Sequence, residues 1–301
     1  MQSGSRVTVT TWRPHADQPE ETSLWGELRT GAHPGDVLAI ATVPALLVTT
    51  FAVVGGRDLS LALSYAQPTP TTLVTAHFVH RSLAHLVDNL AAYALVVPVA
   101  YALAVLGGGR REFVVAFVGY LLLLPVVISA LGLLVFDRGV TLGFSGVTMA
   151  FVGLVPLQAG AYLEDRFAGA MDGHLDVAIF FGGLALVALR TVSPVGPRLA
   201  LAGLGVAVAV VSVRGTVGSL PPLERSLDGL RSDAGQLGAA GLFVLVVGLV
   251  AGFPSGADAG PVVVNGFGHF VGYVVGFVAP YVAFRVLASP PVRTESSPEA
   301  G

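Results

Sequence analysis

Residues 143–163 read GFSGVTMAFVGLVPLQAGAYL and contain no charged side chain. At about 1.5 Å of rise per helical residue, this stretch spans roughly 30 Å, the hydrocarbon thickness of a bilayer. It opens on Gly143-Phe144-Ser145-Gly146, which places a hydroxyl at a helix start. There, backbone N–H groups lack internal partners and can face an anion. Gly146, Ala150 and Gly153 then fall at i, i+4 and i+7, a smooth stripe for close helix contact. Crossing length and a small-residue seam together predict an all-α polytopic membrane protein.

The rest of the chain agrees. Of its 301 residues 53% are hydrophobic and only 12% charged, with mean hydropathy +0.76. A soluble domain carries about 25% charged residues. Eight apolar runs are expected to span, at about 37–56, 83–106, 113–135, 145–163, 175–190, 198–214, 237–253 and 266–287. Gly107-Gly108-Gly109-Arg110-Arg111, Ser193-Pro194-Val195-Gly196-Pro197, Pro221-Pro222 and Pro254-Ser255-Gly256 punctuate them. The domain expectation is a polar cytoplasmic segment 1–35, a membrane domain 36–287 and a polar tail 288–301. The first 35 residues lack the short apolar core of a signal peptide, so the first span is expected to serve as an uncleaved insertion signal.

All sixteen basic residues are arginine, and their placement predicts topology. With the N-terminus inside, Arg6, Arg13, Arg29, Arg110, Arg111, Arg166, Arg214, Arg225, Arg231, Arg285 and Arg293 lie on the cytoplasmic side. Arg57, Arg81, Arg138, Arg190 and Arg198 lie opposite. Eleven against five follows the positive-inside rule and predicts both termini in the cytoplasm, most simply at the cell membrane. The absence of cysteine excludes disulfides and thiolate catalysis, and a net charge of −3 argues against a nucleic-acid partner.

Polar side chains at membrane depth are costly and mark functional positions. Besides Ser145, the last run carries Gly268-His269-Phe270-Val271-Gly272-Tyr273-Val274-Val275-Gly276. Gly272 and Gly276 share the helical face of His269 and match the stripe that follows Ser145. Three spans separate the two helices, so they run in the same direction, with both residues near the outer membrane face. If the glycine faces pack, His269 reaches Ser145 as a general base. His85 and Asn89, at i and i+4 on the second span, offer N–H donors to a developing oxyanion, as does the backbone near Gly143 and Ser145. Each half has a plainer reading as a packing serine, an interhelical hydrogen-bonding pair or a relay histidine; the combination is what points to nucleophilic catalysis.

Other chemistries lack their residues. His77 and His80 have no third metal ligand of suitable spacing beyond His85, and there is no His-Glu-x-x-His, so no metal is expected. Asp88 faces about 100° away from Asn89 and is not a triad member. There is no Tyr-Asp or Gly-x-Gly-Asp, which removes intramembrane aspartyl chemistry. Val147 replaces the second glycine of Gly-x-Ser-x-Gly, and an all-helical chain is expected to offer no strand for a nucleophile elbow.

At these residues the chain resembles the rhomboid family of intramembrane serine proteases. The resemblance rests on His80-x4-His85-x3-Asn89, Gly143-x-Ser145-Gly146 and His269-x2-Gly272-x3-Gly276, in family order, about 35 residues of the chain. It implies a rhomboid-like bundle with a six-helix core plus an extra pair within 175–214, and a Ser145–His269 dyad. It further implies an oxyanion site of His85, Asn89 and the backbone near Gly143 and Ser145, packing through Gly146, Gly272 and Gly276, and no cofactor. The implied partners are transmembrane protein substrates within the lipid bilayer. The chain departs from the family in the extra pair and in lacking a Trp-Arg pair in the loop 57–82. It also has Met149 where an aromatic residue often stacks on the histidine. The second expectation, from another class, is a non-proteolytic relative that binds membrane clients. A transporter would need ionisable residues deep in several spans, whereas between 113 and 163 the only charges are Asp137 and Arg138, in a loop.

Overall fold

The structure, a computed structural model, describes residues 23–56, 58–167, 174–214, 232–254 and 265–287. The tail 288–301, residues 1–22, Pro221-Pro222 and the topology residues Arg6, Arg13, Arg57, Arg225, Arg231 and Arg293 lie outside the described residues.

Eleven α-helices follow one another among the described residues: α1 (Leu24–Gly31), α2 (Pro34–Val54), α3 (Thr72–Thr75), α4 (Leu83–Leu106), α5 (Arg110–Leu122), α6 (Leu124–Val135), α7 (Ser145–Arg166), α8 (Leu175–Thr191), α9 (Val195–Arg214), α10 (Asp233–Gly252) and α11 (Gly266–Pro280), the last continuing as a π-helical turn, Tyr281–Val286. Six helices (α2, α4, α7, α9, α10, and α11 with its π turn) are long and apolar enough to cross a membrane. The pair α5–α6, bent by 50°, brings the number to seven if it crosses as one span. The bend falls where Pro125 lacks an amide proton and its ring crowds the carbonyl of Leu121. α8, expected as an eighth span, has 17 residues and reaches about 26 Å, at the lower end of the roughly 17–25 residues that cross the hydrocarbon.

α7 is the axis. In its membrane-length window 89% of the residues are buried, against 11% for α2 and for α9. α4, α8, α10 and α11 pack around it. Helix starts are set locally by side chains that accept otherwise orphaned N–H groups: Ser82 from His85 at 3.2 Å, Ser232 from Gly235 at 3.1 Å and Asn265 from Gly268 at 2.8 Å.

Two expectations need correction. Residues 24–31, inside the segment 1–35 read as polar, form a helix capped by Ser23. Leu24 and Leu28, one turn apart, pack on the core, and Glu27 pairs with Arg166 at the end of α7. This stretch folds because a distant helix end supplies the partner. Nor is the chain free of strands. Leu63–Ser64 (β1) pairs antiparallel with Val140–Thr141 (β2), joining the long connection 57–82 to the loop that enters α7. Leu63 is fully buried there and Ala62 beside it is buried as well, so this part of the connection closes over protein.

Candidate active site

Helix contact brings the two halves of the motif together. A Cβ on Gly272 would overlap the carbonyl oxygen of Gly146, and one on Gly276 would overlap that of Ala150. One on Gly153 would overlap the carbonyl of Tyr273. The contacts advance along both helices together, so α7 and α11 run parallel, with backbones as close as only glycine permits. The sequence positions Gly146, Gly272 and Gly276 are thus brought into one seam.

That seam sets the side chains above it. His269 Nε2 lies 2.7 Å from Ser145 Oγ, and His269 Nδ1 lies 2.7 Å from the carbonyl oxygen of Gly252. A carbonyl only accepts, so Nδ1 carries the proton and Nε2 presents its lone pair to the serine hydroxyl. Gly252 ends α10, where helix carbonyls lack intrahelical partners and the dipole is negative. An imidazolium formed at His269 would be favoured there. The ring of Phe253, itself buried, meets the imidazole edge-on, with centroids 6.2 Å apart and planes at 90°. A Cβ on Gly252 would lie 2.7 Å from Met149 Sδ and 3.7 Å from His269 Nδ1. The bare glycine is what lets the end of α10 approach both. Gly252, Phe253 and their part in holding the histidine were invisible in sequence, since the acting group is a main-chain carbonyl.

Asn265 was also missed. Its Oδ1 caps α11 at Gly268, while its Nδ2 donates to Thr141 Oγ1 at 2.9 Å. One side chain therefore ties the start of the histidine helix to the strand that precedes the serine. An asparagine four residues before the histidine was the available signal. A cavity of about 20 Å³, room for one water molecule, opens among His77, Thr141, Ser145, Asn265 and His269.

The residues expected to stabilise an oxyanion divide. Gly143 does not offer its amide, which donates to the carbonyl of Ala76 at 2.9 Å. Its φ of +111° and the 2.7 Å that would separate a Cβ from His85 Cε1 and Nε2 give it a different task, a left-handed turn that leaves room for the imidazole. His85 therefore stands against the loop that leads into Ser145. Asn89, buried on α4, donates Nδ2 to the carbonyl of His85 at 2.8 Å, which uses one of its two N–H groups. Neither His85 nor Asn89 is among the described residues that line the cavity. Phe144 stands at the N-cap of α7 without a side-chain cap, so the first N–H groups, those of Ser145 and Gly146, are the backbone donors beside the hydroxyl.

The connection 57–82 carries two more buried histidines. His77 Nε2 lies 3.0 Å from Ser129 Oγ, which donates to the carbonyl of Leu73 at 2.8 Å. His80 is buried with its ring 5.0 Å from that of His85. Burial pushes the pKa of each down to about 4, in His80 with help from the neighbouring His85, so both are neutral near pH 7. Among the described residues no three His, Asp or Glu side chains converge as metal ligands do.

Chemically, the arrangement is a hydroxyl hydrogen-bonded to an imidazole of fixed tautomer, beside uncapped helix N–H groups, with a one-water cavity and apolar helices around it. Neither a protein-family model, nor a curated protein, nor a solved structure matches the chain.

Proposed function

We propose that this chain is a rhomboid-like serine endopeptidase of the cell membrane, cutting other membrane proteins within or next to their transmembrane helices. The observation that carries the reading is the continuous pair of 2.7 Å contacts from Ser145 Oγ through His269 to the Gly252 carbonyl. An isolated serine or histidine in a membrane helix packs or bonds to backbone, but this pair is oriented as nucleophile and base. In this reading α8 completes an eight-span bundle with both termini cytoplasmic, in which α8 and α9 are the additional pair, and the dyad lies toward the outer face.

The reaction follows from the placement of protons. Ser145 Oγ attacks the scissile carbonyl carbon while its proton passes to His269 Nε2, and the carbonyl electron pair moves to oxygen. That oxyanion is received by the N–H groups of Ser145 and Gly146, with His85 and the remaining N–H of Asn89 as side-chain donors. The Gly252 carbonyl accepts Nδ1–H throughout and favours the imidazolium. As the tetrahedral species collapses, the C–N bond breaks and His269 returns the proton to the leaving nitrogen. Water, deprotonated by the same Nε2, then attacks the acyl carbon; the C–Oγ bond breaks, the acid leaves and His269 returns the proton to Ser145 Oγ. A substrate helix must unwind locally to offer its peptide bond, so helix-breaking residues near its outer end are the expected preference. No cofactor enters.

The test is labelling of detergent-solubilised protein with a fluorophosphonate, in wild type, Ser145→Ala and His269→Ala. Labelling abolished by both substitutions supports the reading. A folded wild type that does not label overturns it in favour of client binding without proteolysis, and labelling that survives Ser145→Ala assigns the nucleophile elsewhere.

A further inference from the structure

α8 and α9 stand in the chain between the serine helix and the histidine helix. α9 rests on α8 through Ala202 against Ala185 and Ala188. α8 in turn packs on α7, α10 and α11: Tyr273 of α11 donates to the carbonyl of Phe180 at 3.0 Å, and the rings of Phe180 and Phe277 stack with centroids 4.1 Å apart. In its last turn α8 extends Arg190, whose Nε donates to the carbonyl of Phe253 at 2.7 Å.

We infer that Arg190 is a positioning residue for the His269 base, and that α8 is thereby part of the catalytic framework. This role presupposes the proteolytic reading above. Gly252 carries the carbonyl that selects the histidine tautomer, and Phe253 carries the ring that meets the imidazole edge-on. Both sit where α10 ends, at a terminal turn whose carbonyls have no intrahelical partner and which frays unless something else binds it. Gly252 lacks the side chain that would restrict its backbone. Arg190 grips the very next carbonyl and so holds the exit of the helix. Released, the Gly252 carbonyl can turn away from Nδ1, and the imidazole can then carry its proton on Nε2. In that tautomer it faces the serine with an N–H and cannot take the hydroxyl proton.

A donor at the position of Nε is all this role requires. Glutamine places its Nε2 the same number of bonds from the backbone as arginine Nε; methionine fills the same space with no donor. The experiment compares wild type, Arg190→Gln and Arg190→Met. Two readouts are taken, the rate of fluorophosphonate labelling and the 15N spectrum of histidine-labelled protein, with the His269 signals assigned by their loss in His269→Ala.

Arg190→Met is expected to label ~10–100-fold more slowly and to lose the pure Nδ1–H signature of His269. Arg190→Gln should keep that signature and most of the rate. A folded Arg190→Met with both readouts unchanged overturns the inference. So does loss of rate and signature in a folded Arg190→Gln, which would mean that the charge and not the donor matters. That second arm stands even where Arg190→Met fails to fold. If wild type does not label at all while the His269 signature still responds to Arg190→Met, the proteolytic reading fails and the positioning survives.

Discussion

Gly272 sits directly against the main-chain carbonyl of Gly146, so that the hydrogen on its Cα occupies the place where any side chain would begin. The dyad depends on this contact, because Ser145 and His269 each lie within a turn of it. Their 2.7 Å hydrogen bond tolerates little change in the spacing of the helices.

Gly272→Ala should therefore separate α7 from α11. The added methyl meets backbone, which cannot rotate away, and overpacking of this kind costs about 1–3 kcal/mol. The expected outcome is a lower unfolding temperature in detergent and labelling reduced at least tenfold. Gly266→Ala, at a position with open space around its Cβ, is the matched control and should leave labelling near wild type.

Gly143→Ala should fail for two separable reasons. A positive φ of +111° is strained for any L residue, and the new methyl would press on His85. Adding His85→Ala removes the second problem alone. The double variant should regain part of the thermal stability lost by Gly143→Ala without regaining labelling, since His85 is a proposed oxyanion donor.

Asn265 permits a cleaner division. Asn265→Asp keeps an acceptor for the Gly268 amide and can accept in turn from the Thr141 hydroxyl, whereas Asn265→Ala loses both contacts. Loss of the cap should cost about 1 kcal/mol. We expect Asn265→Ala to be less stable than Asn265→Asp in thermal unfolding, and to label more slowly than both Asn265→Asp and wild type, because it alone frees the loop before Ser145.

His77 predicts the behaviour in acid. Unfolded, its imidazole titrates near pH 6.5; folded, burial holds the value down to about 4. The unfolded chain therefore binds the proton first. The stabilisation is complete above about pH 6.5 and is lost as pH falls toward 4, by a limit on the order of 3 kcal/mol for this one group. Unfolding measured across pH 7 to 4 should show that decline, and His77→Gln should remove its share, from a lower starting stability, leaving the share of His80.

Much of this architecture was legible in residue types. The apolar runs placed the long helices to within a few residues, and the spacing of Gly146, Ala150 and Gly153 against Gly272 and Gly276 anticipated the seam. Less legible was anything that depended on a partner far away in the chain. α1 folds because Glu27 meets Arg166, and β1 forms because Leu63 meets Thr141. The bend at Leu123 was implicit in Pro125, yet a continuous run of hydropathy hides it.

The sequence by itself determined which polar side chains stand in apolar runs and which faces are smooth enough to pack, while the parallel run of the Ser145 and His269 helices shows in their contacts. Only the tertiary structure decided how backbone groups are spent. The amide of Gly143 goes to Ala76 and is lost to an oxyanion, while the carbonyl of Gly252 goes to His269 and selects its tautomer. The reason is physical. Nearly every residue carries the same N–H and C=O, so their identity holds no information, and where they point is set by the path of the chain in space.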